Sequence, residues 1–130
     1  MEYAIGTKIR ILIVEDEYLI ALSFKKELES IGYEVFEPVA SGQAAIQAVM
    51  RELPDIVLMD MGLAGAVSGL EAARAIIAQH EIPIIFMTGH SDEKTLEQVD
   101  QLNPVACLIK PIVGRQIHQV IEKHFQSKGL

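Results

Sequence analysis

The sequence has little cysteine, no tryptophan and no long apolar run, and the first and last of these shortages each exclude a class of protein. The single cysteine, Cys107, excludes an internal disulfide framework and a CxxC metal site, and it suits a reducing compartment. The apolar runs are a few residues long, far below the roughly 20 residues of a membrane span. The first residues lack the basic and apolar stretches of a signal peptide. We therefore expect a cytoplasmic protein with no membrane contact.

Positive charge is also in deficit. The chain has 11 lysines and arginines against 18 aspartates and glutamates, a net charge of −7. This balance argues against direct nucleic-acid binding and favours a cationic ligand or a protein partner. A length of 130 residues with 50% hydrophobic residues is typical of one globular domain. We expect a single domain over 1–130, with its core at about 8–127 and no output domain.

Short apolar runs alternate with longer amphipathic stretches. The runs predict five strands, at 8–14, 33–39, 55–59, 83–88 and 106–109. The stretches between them predict helices at 17–31, 41–54, 68–79, 92–102 and 113–127, several of them starting at a Ser or Asp cap. The apolar spacing predicts buried faces at Ile20, Phe24, Leu28 and Ile31, and at Ala45, Val49, Met50 and Leu53. This alternation predicts an α/β protein with a mostly parallel sheet covered on both faces.

Polar side chains follow four of the predicted strands, at the point where each strand ends. Glu15 and Asp16 follow the first strand, and Asp60 follows the third. Thr88 ends the fourth strand, and Lys110 follows the fifth, directly before a proline. Ligands of such sheets bind at the carboxyl ends of the strands. We therefore expect these side chains to converge on one edge of the sheet.

The converging set has the chemistry of a phosphoryl acceptor. Clustered carboxylates repel one another unless a cation lies among them, and Mg²⁺ prefers oxygen ligands, so Glu15, Asp16 and Asp60 are candidate Mg²⁺ ligands. A carboxylate can also act as a nucleophile and form an aspartyl-phosphate, which makes Asp60 the candidate phosphoacceptor. Lys110 and the Thr88 hydroxyl would then contact other phosphoryl oxygens.

The order of these residues resembles that of response regulator receiver domains, from about Lys8 to Phe125. The resemblance implies a flavodoxin-like (βα)5 fold with strand order 2-1-3-4-5. It implies that the phosphoryl donor is a phosphohistidine of a sensor histidine kinase or phosphotransfer protein, or a small acyl phosphate. It also implies that the Gly62 carbonyl completes the metal shell and that the Lys110–Pro111 bond is cis. Such a protein is a signalling switch that promotes its own phosphorylation and slow dephosphorylation, and it is not a metabolic enzyme.

The sequence departs from the family pattern near the site. Ala64 stands where many members have a proline, and its loop looks one residue longer than usual. Gly62 and His90 occupy positions where side chains near the phosphoryl group influence its lifetime, and Gly89 lies beside them. Cys107 replaces the Tyr or Phe that often acts as a conformational switch. We therefore expect Gly89, His90 and Cys107 to tune switching or lifetime.

The resemblance also implies partners, and three other functions remain as alternatives. The implied partners are a downstream protein or a separate output domain, and a second copy bound through the face of helix 4, strand 5 and helix 5. A flavin-binding protein would need a phosphate loop after the first strand, where the acids Glu15 and Asp16 would repel phosphate. An aspartyl phosphatase commonly has a second acid two residues after the first, where this chain has Gly62. A degenerate receiver, acting as an interaction module without phosphorylation, is disfavoured by the complete residue set.

Overall fold

The computed structural model describes residues 7–89 and 93–126, in which strands and helices alternate. The strands are β1 (Arg10–Val14), β2 (Glu34–Val35), β3 (Ile56–Asp60), β4 (Ile84–Thr88) and β5 (Ala106–Ile109). The helices are α1 (Tyr18–Ile31), α2 (Gly42–Glu52), α3 (Gly69–Gln79), α4 (Glu93–Asp100) and α5 (Gly114–Gln126). The predicted alternation is confirmed. Within the described part of the chain, no helix is both long and apolar enough to cross a membrane.

The strands form one parallel sheet in the order β2-β1-β3-β4-β5, as predicted. Asp60 pairs in register with Met87, and Thr88 pairs with Ile109. The carboxyl ends of β1, β3, β4 and β5 therefore meet along one edge, which we call the rim. This edge is where the polar residues were expected.

The core has two layers, one on each face of the sheet. In β1, Ile11 and Ile13 face the layer that holds α1 and α5, whereas Leu12 and Val14 face the layer that holds α2 and α3. Successive strand side chains point to opposite faces, so a strand covered on both faces must be apolar throughout. The rigid, buried strands give the rim residues a fixed base.

The edge strand β2 is shorter than predicted. It has two residues instead of seven, and Val39 makes only an isolated bridge to Val14. Pro38 lies in the lost part of the strand. Proline has no amide hydrogen for a ladder and is typical of strand edges, which accounts for the difference.

The predicted helix faces were partly wrong. Ile20 and Ile31 are 37% and 42% exposed, and Met50 and Leu53 are 60% and 54% exposed. The buried residues are Ala21, Phe24 and Leu28 in α1, and Gly42, Ala45, Ala48 and Val49 in α2. Ala45 and Val49 were predicted to be buried, but Ala21, Gly42 and Ala48 were not, and these small residues let a helix lie close to the sheet. Leu53 also lies beyond the helix, at its left-handed C-cap.

Serine caps fix where two helices begin. The Ser41 hydroxyl accepts a hydrogen bond from the Ala44 amide, and Ser68 forms a capping box with Glu71. Both caps were predicted. The predicted cap Asp92, and the predicted end of the last helix at 127, lie outside the described residues.

Candidate functional site

Three carboxylates meet at the rim. Glu15 and Asp60 are each only 2% exposed, and Asp16 is half-buried. One oxygen from each of the three lies within 4.8 Å of the other two. β1 and β3 are neighbours with Val14 opposite Met59, so the residues that follow these two positions project side by side. The structure thus brings together the three acids that the sequence nominated.

Glu15 is held so that one of its oxygens has no partner. Its Oε2 accepts a hydrogen bond from the Glu17 amide at 3.0 Å, whereas its Oε1 is buried and makes no hydrogen bond. The nearest cation to Oε1 is the Lys110 ammonium, at 3.9 Å. A buried, unsatisfied carboxylate oxygen is costly, so this atom points to a missing partner.

The electrostatics of Glu15 agree with that geometry. Burial is the largest cause that raises the pKa of Glu15, and the negative charge of Asp60 acts in the same direction; the Glu17 amide and Lys110 lower the pKa, and the net result is a pKa of about 7. Two buried carboxylates side by side resist ionising together. A divalent cation with oxygen ligands would remove this repulsion and occupy the free coordination position of Oε1. The residues present therefore fit Mg²⁺.

Lys110 contacts the central carboxylate directly. Its ammonium Nζ donates to Asp60 Oδ1 at 3.0 Å, and the same oxygen accepts a hydrogen bond from the Gly62 amide at 2.9 Å. Partial burial by itself lowers the pKa of Lys110, but the hydrogen bond and the charge of Asp60 outweigh it and the pKa is raised. Lys110 is therefore an ammonium at neutral pH, positioned beside the candidate nucleophile.

The backbone at the ends of β4 and β5 places Lys110. Its amide donates to the Thr88 carbonyl at 2.8 Å, and its bond to Pro111 is cis, as predicted. Thr88 is 4% exposed at the end of β4, beside the strand that carries Asp60. The structure thus brings Thr88 to the same rim as the acids.

The loop from β3 to α3 is held against the site by a hydrogen bond and a close backbone contact, neither of which was predicted from the sequence. The Ala64 amide donates to Asp16 Oδ2 at 3.1 Å. A Cβ on Gly69 would collide with the carbonyl oxygen of Asp60, so α3 begins directly against the backbone of the candidate phosphoacceptor. A glycine straight after a predicted Ser68 cap was the available signal, because glycine at a helix start allows such an approach.

The remaining nominated residues have weaker structural links to the site. Gly62 contacts Asp60 through its amide, and the metal role of its carbonyl stays a prediction. Gly89 is exposed after β4, and His90 lies outside the described residues. Cys107 is half-buried in β5 opposite Phe86, and burial raises the pKa of its thiol. A raised pKa means little thiolate at neutral pH, which fits a packing residue.

Comparisons with known proteins agree with the geometry. The family model "Response regulator receiver domain" matches residues 11–122. PdtaR, a transcriptional regulatory protein of Mycobacterium tuberculosis, is 32% identical over 113 residues, which are 87% of this chain and 55% of PdtaR. Sporulation initiation phosphotransferase F of Bacillus subtilis is 28% identical over 121 residues, which are 92% of this chain and 96% of that protein.

Solved structures show the same fold. The signal receiver domain of a modulated diguanylate cyclase from Desulfovibrio desulfuricans superposes with a TM-score of 0.86 at 35% identity, covering 95% of this chain and 98% of that one. A CheY-like receiver domain from Methanospirillum hungatei gives 0.85 at 26% identity, with 95% and 98% covered. This chain thus spans about half of some relatives and nearly all of others. It belongs to the response regulator receiver domain family.

Proposed function

We propose that this protein accepts a phosphoryl group on Asp60, with Mg²⁺, from the phosphohistidine of a sensor histidine kinase or a phosphotransfer protein in the cytoplasm. The observation that carries the proposal is Asp60 itself: a buried carboxylate with an ammonium at 3.0 Å and two further carboxylates beside it. The chain would act as one receiver domain whose output lies in another protein or segment. Phosphorylation would switch its conformation and its choice of partner.

Phosphoryl transfer depends mainly on how the reacting groups are positioned and how their charge is neutralised, and less on further covalent chemistry by the protein. An Asp60 oxygen attacks the phosphorus, the bond from phosphorus to the donor nitrogen breaks, and its electron pair stays on the histidine. Lys110 already lies 3.0 Å from Asp60 Oδ1, so a short movement would place its ammonium on a phosphoryl oxygen. Thr88, at the end of the neighbouring strand, is the proposed donor to another oxygen.

The acid cluster would hold the metal through Glu15, Asp16 and Asp60. When bound, Mg²⁺ would neutralise charge on the transferring phosphoryl group. Asp16 already accepts a hydrogen bond from Ala64, which orients its carboxylate towards the cluster. The unsatisfied Glu15 Oε1 supports the same assignment.

A donor protein has an apolar surface to dock on beside Lys110. A groove of about 640 Å³ lies between α1 and the loop after β5, lined by Leu19, Ile20, Phe24, Pro111 and Ile112, among others. Leu19 is 77% exposed, and Val113 nearby is 56% exposed. Because a phosphohistidine must reach Asp60 across this rim, we propose that the donor protein packs here.

Intact-mass measurement after incubation with acetyl phosphate and Mg²⁺ tests the acceptor. Wild type should gain one phosphoryl group, Asp60→Asn should gain none, and Asp100→Asn, which changes an exposed aspartate on α4, should behave as wild type. Labelling of Asp60→Asn as full as that of wild type would refute the assignment. A wild type that takes no label from any donor would favour the phosphorylation-independent receiver.

The docking surface has a separate test. Leu19→Ala should slow transfer from a phosphorylated donor protein and leave labelling by acetyl phosphate unchanged, because the small donor needs no docking. Met50→Ala removes a similarly exposed apolar side chain from α2 and should change neither rate. Equal loss with both donors would show that Leu19 affects the site itself.

A further inference from the structure

The loop that carries Lys110 is held at both ends by hydrogen bonds. β5 ends at Ile109 and α5 begins at Gly114, so the loop has four residues. At its start, the Lys110 amide donates to the Thr88 carbonyl at 2.8 Å. At its far end, the Gly114 amide donates to Glu27 Oε2 at 3.2 Å, and Glu27 belongs to α1. A side chain from another helix thus holds the end of the loop.

The contact between Glu27 and Gly114 leaves no space for a Cβ on residue 114 while Glu27 stays in place. A Cβ on Gly114 would lie 2.6 Å from Glu27 Oε2 and 3.0 Å from Glu27 Cβ. Any larger residue would have to push the Glu27 side chain away. The sequence therefore supplies both halves of the contact, a carboxylate on α1 and a residue without a side chain on α5.

The contact also suits the electrostatics of a helix start. The first amides of a helix have no intrahelical partner, and a carboxylate near them is favourable. Directly before α5, the Val113 amide donates to a residue of the helix itself, Gln116 Oε1, at 2.9 Å. The Gly114 amide is satisfied from outside, by Glu27. Glu27 therefore links the start of α5 to α1, and with it the loop between.

The placement of this loop matters for Lys110. The Lys110 side chain is 35% exposed, so neighbouring side chains restrict its long, flexible stem only in part. Its reach of 3.0 Å to Asp60 Oδ1 then depends on where the backbone starts it. Small errors in the position of a catalytic group cost rate steeply.

We propose that Glu27 is a positioning residue for phosphoryl transfer: by holding Gly114, it fixes the loop that aims Lys110 at Asp60. This inference rests on the proposed function. Glu27 touches neither Asp60 nor the phosphoryl group, and it acts through the backbone of the loop.

The test compares phosphorylation rates with acetyl phosphate at saturating Mg²⁺. Glu27→Ala should slow phosphorylation about fivefold, the factor that corresponds to about 1 kcal/mol for a hydrogen bond. Glu27→Gln keeps an oxygen acceptor for Gly114 and should recover most of the rate. Glu29→Ala removes the same charge from the same helix, where Glu29 pairs with Lys25 of α1 at 2.7 Å, and it should match wild type. Mg²⁺ affinity should be equal in all four proteins.

A double-mutant cycle distinguishes positioning from a general structural role. If Glu27 acts through Lys110, Glu27→Ala should have little further effect on a Lys110→Ala protein. The same slowing with and without Lys110 would overturn the proposal. Hydrogen exchange of the Gly114 amide adds a measurement that needs no phosphorylation: Glu27→Ala should speed it, and Glu29→Ala should not.

The outcomes separate this inference from the proposed function. A labelled wild type with equal rates for Glu27→Ala and Glu29→Ala would overturn the role of Glu27 and leave the phosphoacceptor assignment standing. Unchanged exchange at Gly114 in Glu27→Ala would overturn it as well. A wild type that takes no label would instead refute the proposed function, and this inference with it.

Discussion

Replacing Gly69 with alanine tests how closely α3 is built against the phosphoacceptor. The added Cβ would collide with the Asp60 carbonyl oxygen, and it would lie 3.0 Å from both the Asp60 carbonyl carbon and Met61 Cα. All three atoms belong to the backbone, so no side-chain rotation relieves the contact. Either α3 must move away, or the end of β3 must shift together with Asp60.

The magnitude follows from two opposing effects. Overpacking of this kind costs about 1–3 kcal/mol. Alanine is favoured over glycine in a helix by up to about 1 kcal/mol, and by less at the first helical residue, so this gain offsets part of the cost. We expect a net loss of about 1–2 kcal/mol in the free energy of unfolding, which corresponds to a fall in Tm of about 4–8 °C.

Urea denaturation measures this loss in the free energy of unfolding. Circular dichroism is the suitable probe, because the chain has no tryptophan whose fluorescence would follow unfolding. Gly89→Ala is the matched control: Gly89 lies at the same rim, and a Cβ there meets no atom of the described part of the chain within 4 Å. Gly69→Ala should also label more slowly with acetyl phosphate, because the Asp60 backbone is displaced. A Gly69→Ala protein as stable as Gly89→Ala would refute the reasoning.

Three further predictions concern the metal, the ammonium and the switch. Asp16→Ala should weaken Mg²⁺ binding far more than Glu29→Ala in titration calorimetry, because it removes a ligand and not a screened surface charge; equal affinities would count against the site. Lys110→Ala should bind Mg²⁺ at least as tightly as wild type, since an ammonium repels a cation, and should be labelled poorly by acetyl phosphate; unchanged labelling would contradict its role. With a phosphoryl mimic, amide NMR should show larger changes at Gly89 and the residues after it than at Cys107, whose small side chain cannot swing between two positions; the reverse order would exclude this route.

The fold was largely predictable because its strongest signals are periodic or chemical. Strand runs buried on both faces are continuous apolar stretches, and the serines before α2 and α3 mark where those helices begin. Side-chain burial was less predictable. Met50 is apolar yet 60% exposed, whereas Ala48 is fully buried, because the distance between helix and sheet decides which size fits.

The residues that form the site were predictable, but the hydrogen bonds that hold them in place were not. Acids, hydroxyl and lysine could be assigned to the rim because each directly ends or follows a predicted strand. The contacts of Ala64 with Asp16 and of Glu27 with Gly114 join residues 48 and 87 positions apart through backbone amides. A backbone amide leaves no mark in the sequence, so such contacts become visible only in three dimensions.

Acids at the two ends of the sheet differ in whether their oxygens have partners within the chain, and this difference supports the proposed ligand at the rim. At the amino end, Asp55 accepts a hydrogen bond from the Arg10 amide at 2.8 Å and lies 3.7 Å from the Arg10 guanidinium, so its charge is matched within the chain. At the rim, Glu15 Oε1 is buried without a hydrogen bond beside two more carboxylates. His80 Nε2 is also buried with no hydrogen-bond partner among the described residues, but an imidazole nitrogen is cheaper to bury than a carboxylate oxygen. The half-buried Asp55 is satisfied from within the chain and the buried Glu15 Oε1 is not, and this difference supports the proposed cation at the rim.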